Sequence, residues 1–353
     1  MPRLFILALL VLTGCATSRV EVTPQPSTAE ASGAEVARGD DLFPITEGGA
    51  WGYVDRSGAV AIEPQFDAAG DFSEGRAAVR VRSRWGYIRP DGSWAVEPRF
   101  ALAGDFASGR ARVGVGSPSD RLYGYIDASG AEVVPPVLPY ALDYSEGLAL
   151  VRLIADEATS VERFFSRLGG RETAPGYVFL DRAGEIAFEV PGVSAASFSG
   201  GLAPFEKDQG FFRSTTWGYL DASGAVAIEP DLDGPAFRHT DGLARVGRDG
   251  QLGFVDEDGT FVVSPAYPLA LPFGDGLAPV QVDGLWGFVN ASGDLAIAPR
   301  FRSALPFSGG LAPVQTDAGW GYLSPSGDLA IPATYTRAEP FARGLARVYS
   351  GRL

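Results

Sequence analysis

The sequence predicts an all-β protein built as a tandem repeat, and three observations carry that prediction. A short aromatic and apolar anchor returns eight times at a nearly constant interval. Glycine (46) and proline (26) are both abundant, as expected of many short strands joined by turns. Hydrophobic residues make up 46% and aromatics 11%, enough for a packed core along the chain.

The first copy of the anchor is Trp51-Gly52-Tyr53-Val54-Asp55, followed by Gly58, Ile62, Pro64, Phe66, Phe72, Gly75, Ala77 and Val79. It returns at Trp85-Gly86-Tyr87-Ile88, Tyr123-Gly124-Tyr125-Ile126 and Trp217-Gly218-Tyr219-Leu220. Three more copies start at Leu252, Trp286 and Trp320, and a degenerate one reads Tyr177-Val178-Phe179-Leu180-Asp181. Successive anchors are 34, 38, 54, 40, 35, 34 and 34 residues apart. The basic unit is thus 34 residues, and three steps carry insertions.

Each unit reads as three short strands. In the last unit strand A is Leu311 to Gln315, strand B is Trp320 to Leu323 and strand C is Leu329 to Ile331. The B–C turn, as in Asp221-Ala222-Ser223-Gly224, has hairpin chemistry: Asp caps through its side chain and Gly takes φ > 0. A proline after strand C (Pro64, Pro98, Pro136, Pro230, Pro265, Pro299, Pro332) is expected to end ladder pairing there. The next segment, with paired aromatics such as Phe301 and Phe307, carries the chain to the following unit. Eight three-stranded units joined by crossovers suggest a β-propeller-like ring, with an open β-solenoid as the alternative. Strand counting bears on that choice. Leu42 to Ile45 supplies strand A for the first unit, and Leu345 to Val348 is a ninth A strand with no B strand after it. An open array tolerates such a strand as a cap.

The shared pattern W-G-[YF]-[VIL]-D-x-x-G, an apolar strand ending in Pro, then F-x-x-G-L-A-x-V resembles the WG-repeat family of bacterial proteins. The resemblance covers residues 42 to 350 or so and implies a repeat architecture, while saying almost nothing about activity. The Trp residues of the anchor are expected to be core packing positions, with the adjacent Gly admitting a neighbouring backbone or ring.

Upstream of the repeats, Arg3 precedes an apolar run from Leu4 to Leu12 and then Thr13-Gly14-Cys15. The run is too short for a spanning helix, which needs about 20 residues, and fits a cleaved leader. Leu12-Thr13-Gly14-Cys15 looks like the lipobox of bacterial lipoproteins, in which the cysteine is lipidated and becomes the mature N-terminus. That resemblance implies a stable membrane anchor at Cys15. Ala16, rather than an aspartate, follows the cysteine, which would favour the outer membrane in a Gram-negative cell. The division expected is 1–14 leader, 15–40 lipidated Cys and flexible tether, and 41–353 repeat domain. About 25 tether residues would span roughly 25–30 Å.

Composition narrows the functional classes. A net charge of −14 argues against a nucleic-acid surface. Basic charge is almost all arginine, Lys207 being the one lysine. Cys15 is the only cysteine and His239 the only histidine, so no His- or Cys-ligated metal, no His-based triad and no cofactor is expected. His239 reads as an exposed loop imidazole. The Asp-x-x-Gly turns lack the ligand density of a calcium loop. Asn290-Ala291-Ser292 matches a glycosylation sequon but falls at a hairpin turn.

The irregular steps are more informative. All three arise in the A–B connection: Gly114 to Leu122 in the third unit, Arg152 to Gly176 in the fourth and Glu206 to Thr216 in the fifth. Insertions that cluster on one face of adjacent repeats commonly mark a binding surface. The longest could form a short helix near Val161 to Leu168. The candidate binding residues are Arg163, Phe164, Phe165, Arg167, Phe211, Phe212 and Arg213, of types enriched at interface hot spots. The expected function is a membrane-tethered, non-catalytic scaffold binding an envelope protein or polymer, with a carbohydrate- or peptidoglycan-binding module as the alternative.

Overall fold

The computed structural model describes residues 10–12, 41–153, 176–210, 215–342, 344 and 346–349, and no α-helix occurs among them. Cys15 and the tether lie outside these residues, as does the helix expected near Val161 to Leu168. The architecture is all-β and propeller-like: a series of separate small antiparallel sheets, none closed into a barrel. All eight anchors lie on strand B of a sheet. The described chain divides into two compact units, one of residues 41–208 with 220–226, the other of 209–219 and 227–349 with Leu10–Leu12.

The second sheet shows the plan. Strand A (Arg76–Val81) pairs with strand B (Arg84–Ile88), which pairs with strand C (Trp94–Phe100). The segment expected to be a plain crossover is itself a strand: Ala68–Ser73 pairs with the free edge of strand A. Six of the eight anchor-bearing sheets gain such a leading strand, so the unit has four strands rather than three. The first sheet (Phe43–Glu47, Ala50–Val54, Val60–Phe66) and the seventh (Leu277–Val282, Leu285–Asn290, Leu295–Phe301) keep three.

Strand C also differs from expectation. It does not stop at its proline. Val60–Phe66 and Trp94–Phe100 run through Pro64 and Pro98, and the register jumps there: Tyr53 faces Ile62 while Trp51 faces Phe66. The proline is tolerated because it sits in a bulge on an outer strand, where its missing N–H interrupts nothing. The Gly of seven of the eight anchors makes room for that bulge. A Cβ on Gly52 would lie 2.5 Å from the Ile62 carbonyl oxygen and 2.6 Å from the Pro64 nitrogen, and a Cβ on Gly86 would meet Val96 and Pro98 in the same way.

The core lies between adjacent sheets rather than inside any one of them. In the first unit, Leu42, Tyr53, Ile62, Phe66, Phe72, Ala77, Val79 and Ile88 form one layer drawn from the first two sheets. Ala78 and Tyr87 point the other way, into a layer with Phe106, Ala111, Val113 and Ile126 of the third sheet. Period-2 alternation therefore buries both faces of strands A and B, which explains why they are apolar almost throughout. In the second unit, Phe254, Phe273, Val280 and Val289 form one such layer, and Phe288, Phe301, Phe307, Val314 and Leu323 form the next.

An aromatic pair locks each layer. The anchor tyrosine Tyr87 stacks edge-on against Phe106 of the following leading strand at 4.9 Å and donates its hydroxyl to Gly104 O at 2.8 Å. Tyr53 does the same with Phe72 and Gly70 O, and Tyr322 with Phe341 and Glu339 O. Phe254 and Phe288 keep the ring contact, with Phe273 and Phe307, without the hydroxyl. The buried partner of each anchor is thus the tyrosine or phenylalanine. The anchor Trp packs against the core layers, as expected, at Trp51, Trp85, Trp286 and Trp320, though it and Trp217 remain half-buried. His239 is a correction. It occupies the Phe72 and Phe106 position of its repeat, is 1% exposed, and stacks on Tyr219 at 5.0 Å.

The spare A strand is also placed. Arg347–Tyr349 pairs with Arg337–Ala338 on one side and, in parallel, with Leu10–Leu12 on the other.

Candidate functional site

The A–B connections set the candidate surface. Four of them are two-residue hairpins whose central residues are both left-handed: Gly48 and Gly49, Arg82 and Ser83, Asp249 and Gly250, Asp283 and Gly284. That is the turn whose twist matches paired strands. In the third, fourth and fifth sheets the same connection is lengthened, between Arg110–Val115 and Leu122–Asp127, between Ala149–Leu153 and Gly176–Leu180, and between Leu202–Lys207 and Thr216–Asp221. The sequence reading of where the insertions fall therefore holds. Its named residues Arg163, Phe164, Phe165, Arg167, Phe211, Phe212 and Arg213 all lie outside the described residues.

The described flanks of those connections carry a strip that the sequence reading did not single out. Arg112 lies over the Tyr123 ring at 5.3 Å, and Arg152 over the Tyr177 ring at 5.7 Å. Tyr177 also packs edge-on against Tyr140 at 5.8 Å, and Tyr140 is 37% exposed. Arg80 over Trp85 repeats the motif one sheet earlier. Strand register makes these pairs: Arg80 faces Trp85 and Arg152 faces Tyr177 directly across the A–B ladder. A cross-strand reading of each anchor against its A strand would have found them. In the third connection, Asp120 accepts hydrogen bonds from Ser117 Oγ at 3.0 Å and Ser119 Oγ at 2.9 Å, closing a compact loop.

Most of the B–C turns are closed by their own aspartates. Asp55 Oδ1 accepts from Ser57 N, Ser57 Oγ and Ala59 N. The Ser57 side-chain bond, with help from the backbone N–H groups, holds the Asp55 carboxyl below its ordinary value. Asp91, Asp127 and Asp221 are held low in the same way by Ser93, Ser129 and Ser223. A carboxyl held low is poorly suited to donate a proton. Asn290 Oδ1, in the sequon, is used as the same kind of turn acceptor, for Ser292 N and Asp294 N. The buried anchor tyrosines shift the other way: desolvation pushes Tyr53, Tyr87 and Tyr219 above their usual range, and Tyr322 up to about 12. Among the described residues no group of three or more His, Cys, Asp or Glu side chains could hold a metal ion.

A row of side chains links the opposite ends of the A strands. Several leading-strand turns hold a residue at positive φ whose side chain accepts from the next turn: Glu74 from Gly109 N, Ser108 from Gly147 N, and Glu146 from Gly200 N and Gly201 N. In the other unit Asp241 accepts from Gly276 N and Asp275 from Gly310 N.

These features define a propeller-like tandem-repeat protein whose variable part is one connection per repeat. The family model of the WG containing repeat matches residues 51–85, 85–117, 123–153, 217–251, 253–286, 286–318 and 320–351. The matched stretches cover more than half of the chain, which belongs to that family. The unit anchored at Tyr177 is outside those seven matches and still folds as a four-stranded sheet. Among solved structures, the chain is similar to a crystal structure of the eukaryotic initiation factor, at 11% identity and TM-score 0.57 over 85% of this chain and 86% of that one. It also matches the β-propeller domain of the Trilobed protease from Pyrococcus furiosus, with open velcro topology, at 11% identity and TM-score 0.33 over 80% and 92%. TolB from Acinetobacter baumannii follows at 10% identity and TM-score 0.30 over 62% and 61%. At these identities the likeness concerns the fold alone. A comparison with curated protein sequences returns no match.

Proposed function

We propose that this chain is a non-catalytic binding scaffold of the cell envelope, held to a membrane through lipid on Cys15 and presenting its lengthened A–B connections to a protein partner. One observation carries the reading: all three long connections fall at the same position of three consecutive sheets. Repeat arrays bind on the face where insertions collect. The Arg112, Tyr123, Arg152, Tyr177 and Tyr140 strip beside them supports it, since Arg and Tyr anchor interfaces at low entropic cost. The leader, the anchor and an outer-membrane address rest on Leu12-Thr13-Gly14-Cys15 and Ala16.

The test is affinity capture from native envelope with a soluble form beginning near Asp40. The expected result is a partner retained by the wild type and lost when Ala155 to Thr173 is deleted. Recovery of the same partner by both forms rules out the long connection as its site. A glycan-binding reading draws on the exposed Tyr140 edge and the half-buried anchor Trp residues. Retention on purified peptidoglycan or polysaccharide resin, abolished by Tyr140→Ser, would favour it over the protein-binding reading.

A further inference from the structure

Two repeats carry the same local sequence on strand A, Ala111-Arg112-Val113-Gly114 and Ala244-Arg245-Val246-Gly247. The leading segments that follow are also alike, Ala141-Leu142-Asp143-Tyr144 and Ala270-Leu271-Pro272-Phe273, except that Pro272 stands where the other has Asp143. The two arginines begin the same way. Arg112 Nη1 donates to Ala141 O at 3.0 Å, and Arg245 Nη1 donates to Ala270 O.

They then diverge. The Arg112 fork is completed by Asp143, Nε to Oδ1 at 2.9 Å and Nη2 to Oδ2 at 3.3 Å, a side-on bidentate pair. Arg245 has no such carboxylate. Its Nε is buried without an acceptor, it makes no ion pair among the described residues, and desolvation lowers its affinity for its proton. Its guanidinium carbon lies over the Phe237 ring at 3.8 Å, so the group is held in place before anything binds. Arg238 lies beside it. The ladder pairs Ala236 with Val246 and His239 with Ala244, and the register shift between them sets Phe237 and Arg238 opposite Arg245. Arg238 is exposed and occupies the leading-strand position that Asp71, Asp105 and Asp143 hold in earlier repeats.

We infer that Arg245 and Arg238 form a carboxylate-receiving site, and that its ligand is an acidic segment of a partner protein. The ligand carboxylate pairs with the Arg245 guanidinium, which lacks the internal carboxylate that Asp143 supplies at Arg112. The aspartate pair inside this chain shows the geometry. The partner is a peptide because the carboxylate that already fits this fork, that of Asp143, is a side chain of an extended segment crossing the same strand end. The site is separate from the A–B connections and stands or falls without them. In a chain of net charge −14, two adjacent arginines offer an acidic segment the complementary charge.

The test is fluorescence anisotropy of labelled tetra-L-glutamate with the full chain at low salt, repeated with labelled tetragalacturonate. The wild type is expected to bind tetraglutamate, and Arg245→Gln to weaken it about ten-fold or more, the usual cost of a lost charge-assisted hydrogen bond. Pro272→Asp keeps Arg245 and supplies an internal carboxylate, so it should weaken binding to the same degree while raising the unfolding temperature. Arg302→Gln, at an exposed arginine already paired with Asp317, should leave binding unchanged. Absence of binding by the wild type, equal binding by Pro272→Asp, or preference for tetragalacturonate would each overturn the inference.

Discussion

At the residue scale, seven of the eight repeats depend on one glycine and one aromatic pair, and the repeat anchored at Tyr177 keeps only the pair, Phe179 with Phe198. Gly86 is required because any Cβ there meets the bulge carbonyl of Val96 at 2.5 Å, and the obstacle is backbone, which cannot rotate away. Gly86→Ala is expected to cost about 3 kcal/mol, at the upper end for overpacking, as read by chemical denaturation. Tyr87→Phe should cost only about 1 kcal/mol, because the ring contact stays and a single hydrogen bond to Gly104 O is lost. Phe254 and Phe288 already show that the repeat accepts this change. A Tyr87→Phe loss as large as that of Gly86→Ala would mean that the hydroxyl, and not the ring, locks the layer. His239 gives a pH signature. Burial lowers its folded-state pKa below the ordinary 6.5, while the nearby Asp256 and Glu257 charges and the Asp256 carbonyl act in the opposite direction. The unfolded state therefore binds the extra proton, and the contribution is present above pH 6.5 and lost as pH falls below it. Stability of the wild type should fall over that range, and His239→Phe should flatten the fall. An unchanged pH profile in the variant would show that carboxylates elsewhere set it.

At the scale of the element, the bulged C strand and the leading strand explain what could and could not be read in advance. The eight B strands were legible because the Trp-Gly-Tyr spacing needs no tertiary information. The B–C turns were legible too, since Asp55, Asp127 and Asp221 act only on their own neighbours. Strand C was read as ending at Pro64 because a missing N–H normally stops a ladder, yet the bulge opposite Gly52 absorbs it. The leading strand was read as a crossover because Ala68–Ser73 pairs with a strand of the next unit in sequence, and one of its pairs is broken by a register shift. His239 was misplaced for a related reason: only alignment to Phe72 and Phe106, not residue type, marks it as core. The site was less legible. The insertions were found by counting, whereas the Arg152, Tyr177 and Tyr140 cluster depends on cross-strand register. At this scale the turn ladder makes its own prediction. Glu146→Ala removes the acceptor of two N–H groups, Gly200 and Gly201, and should speed hydrogen exchange at those two amides with little change elsewhere. Unchanged exchange there would mean that the carboxylate is not needed to order that turn.

At the scale of the whole molecule, the central claim is that stability resides in the layers between adjacent sheets. Tyr87 and Phe106 sit in one layer with Ala78, Val96, Phe100, Ala111, Val113 and Ile126, so one sheet cannot keep its core without the next. Such an array can lengthen the A–B connections of three repeats without disturbing the rest, which is what a scaffold with a variable surface requires. Hydrogen exchange on the Phe106→Ala variant tests this most directly. The account predicts lost protection in Arg76–Val81, Arg84–Ile88, Arg110–Val115 and Leu122–Asp127, with Leu277–Val282, Ala312–Thr316 and Gly319–Leu323 still protected. An equal loss of protection in all seven strands would contradict it.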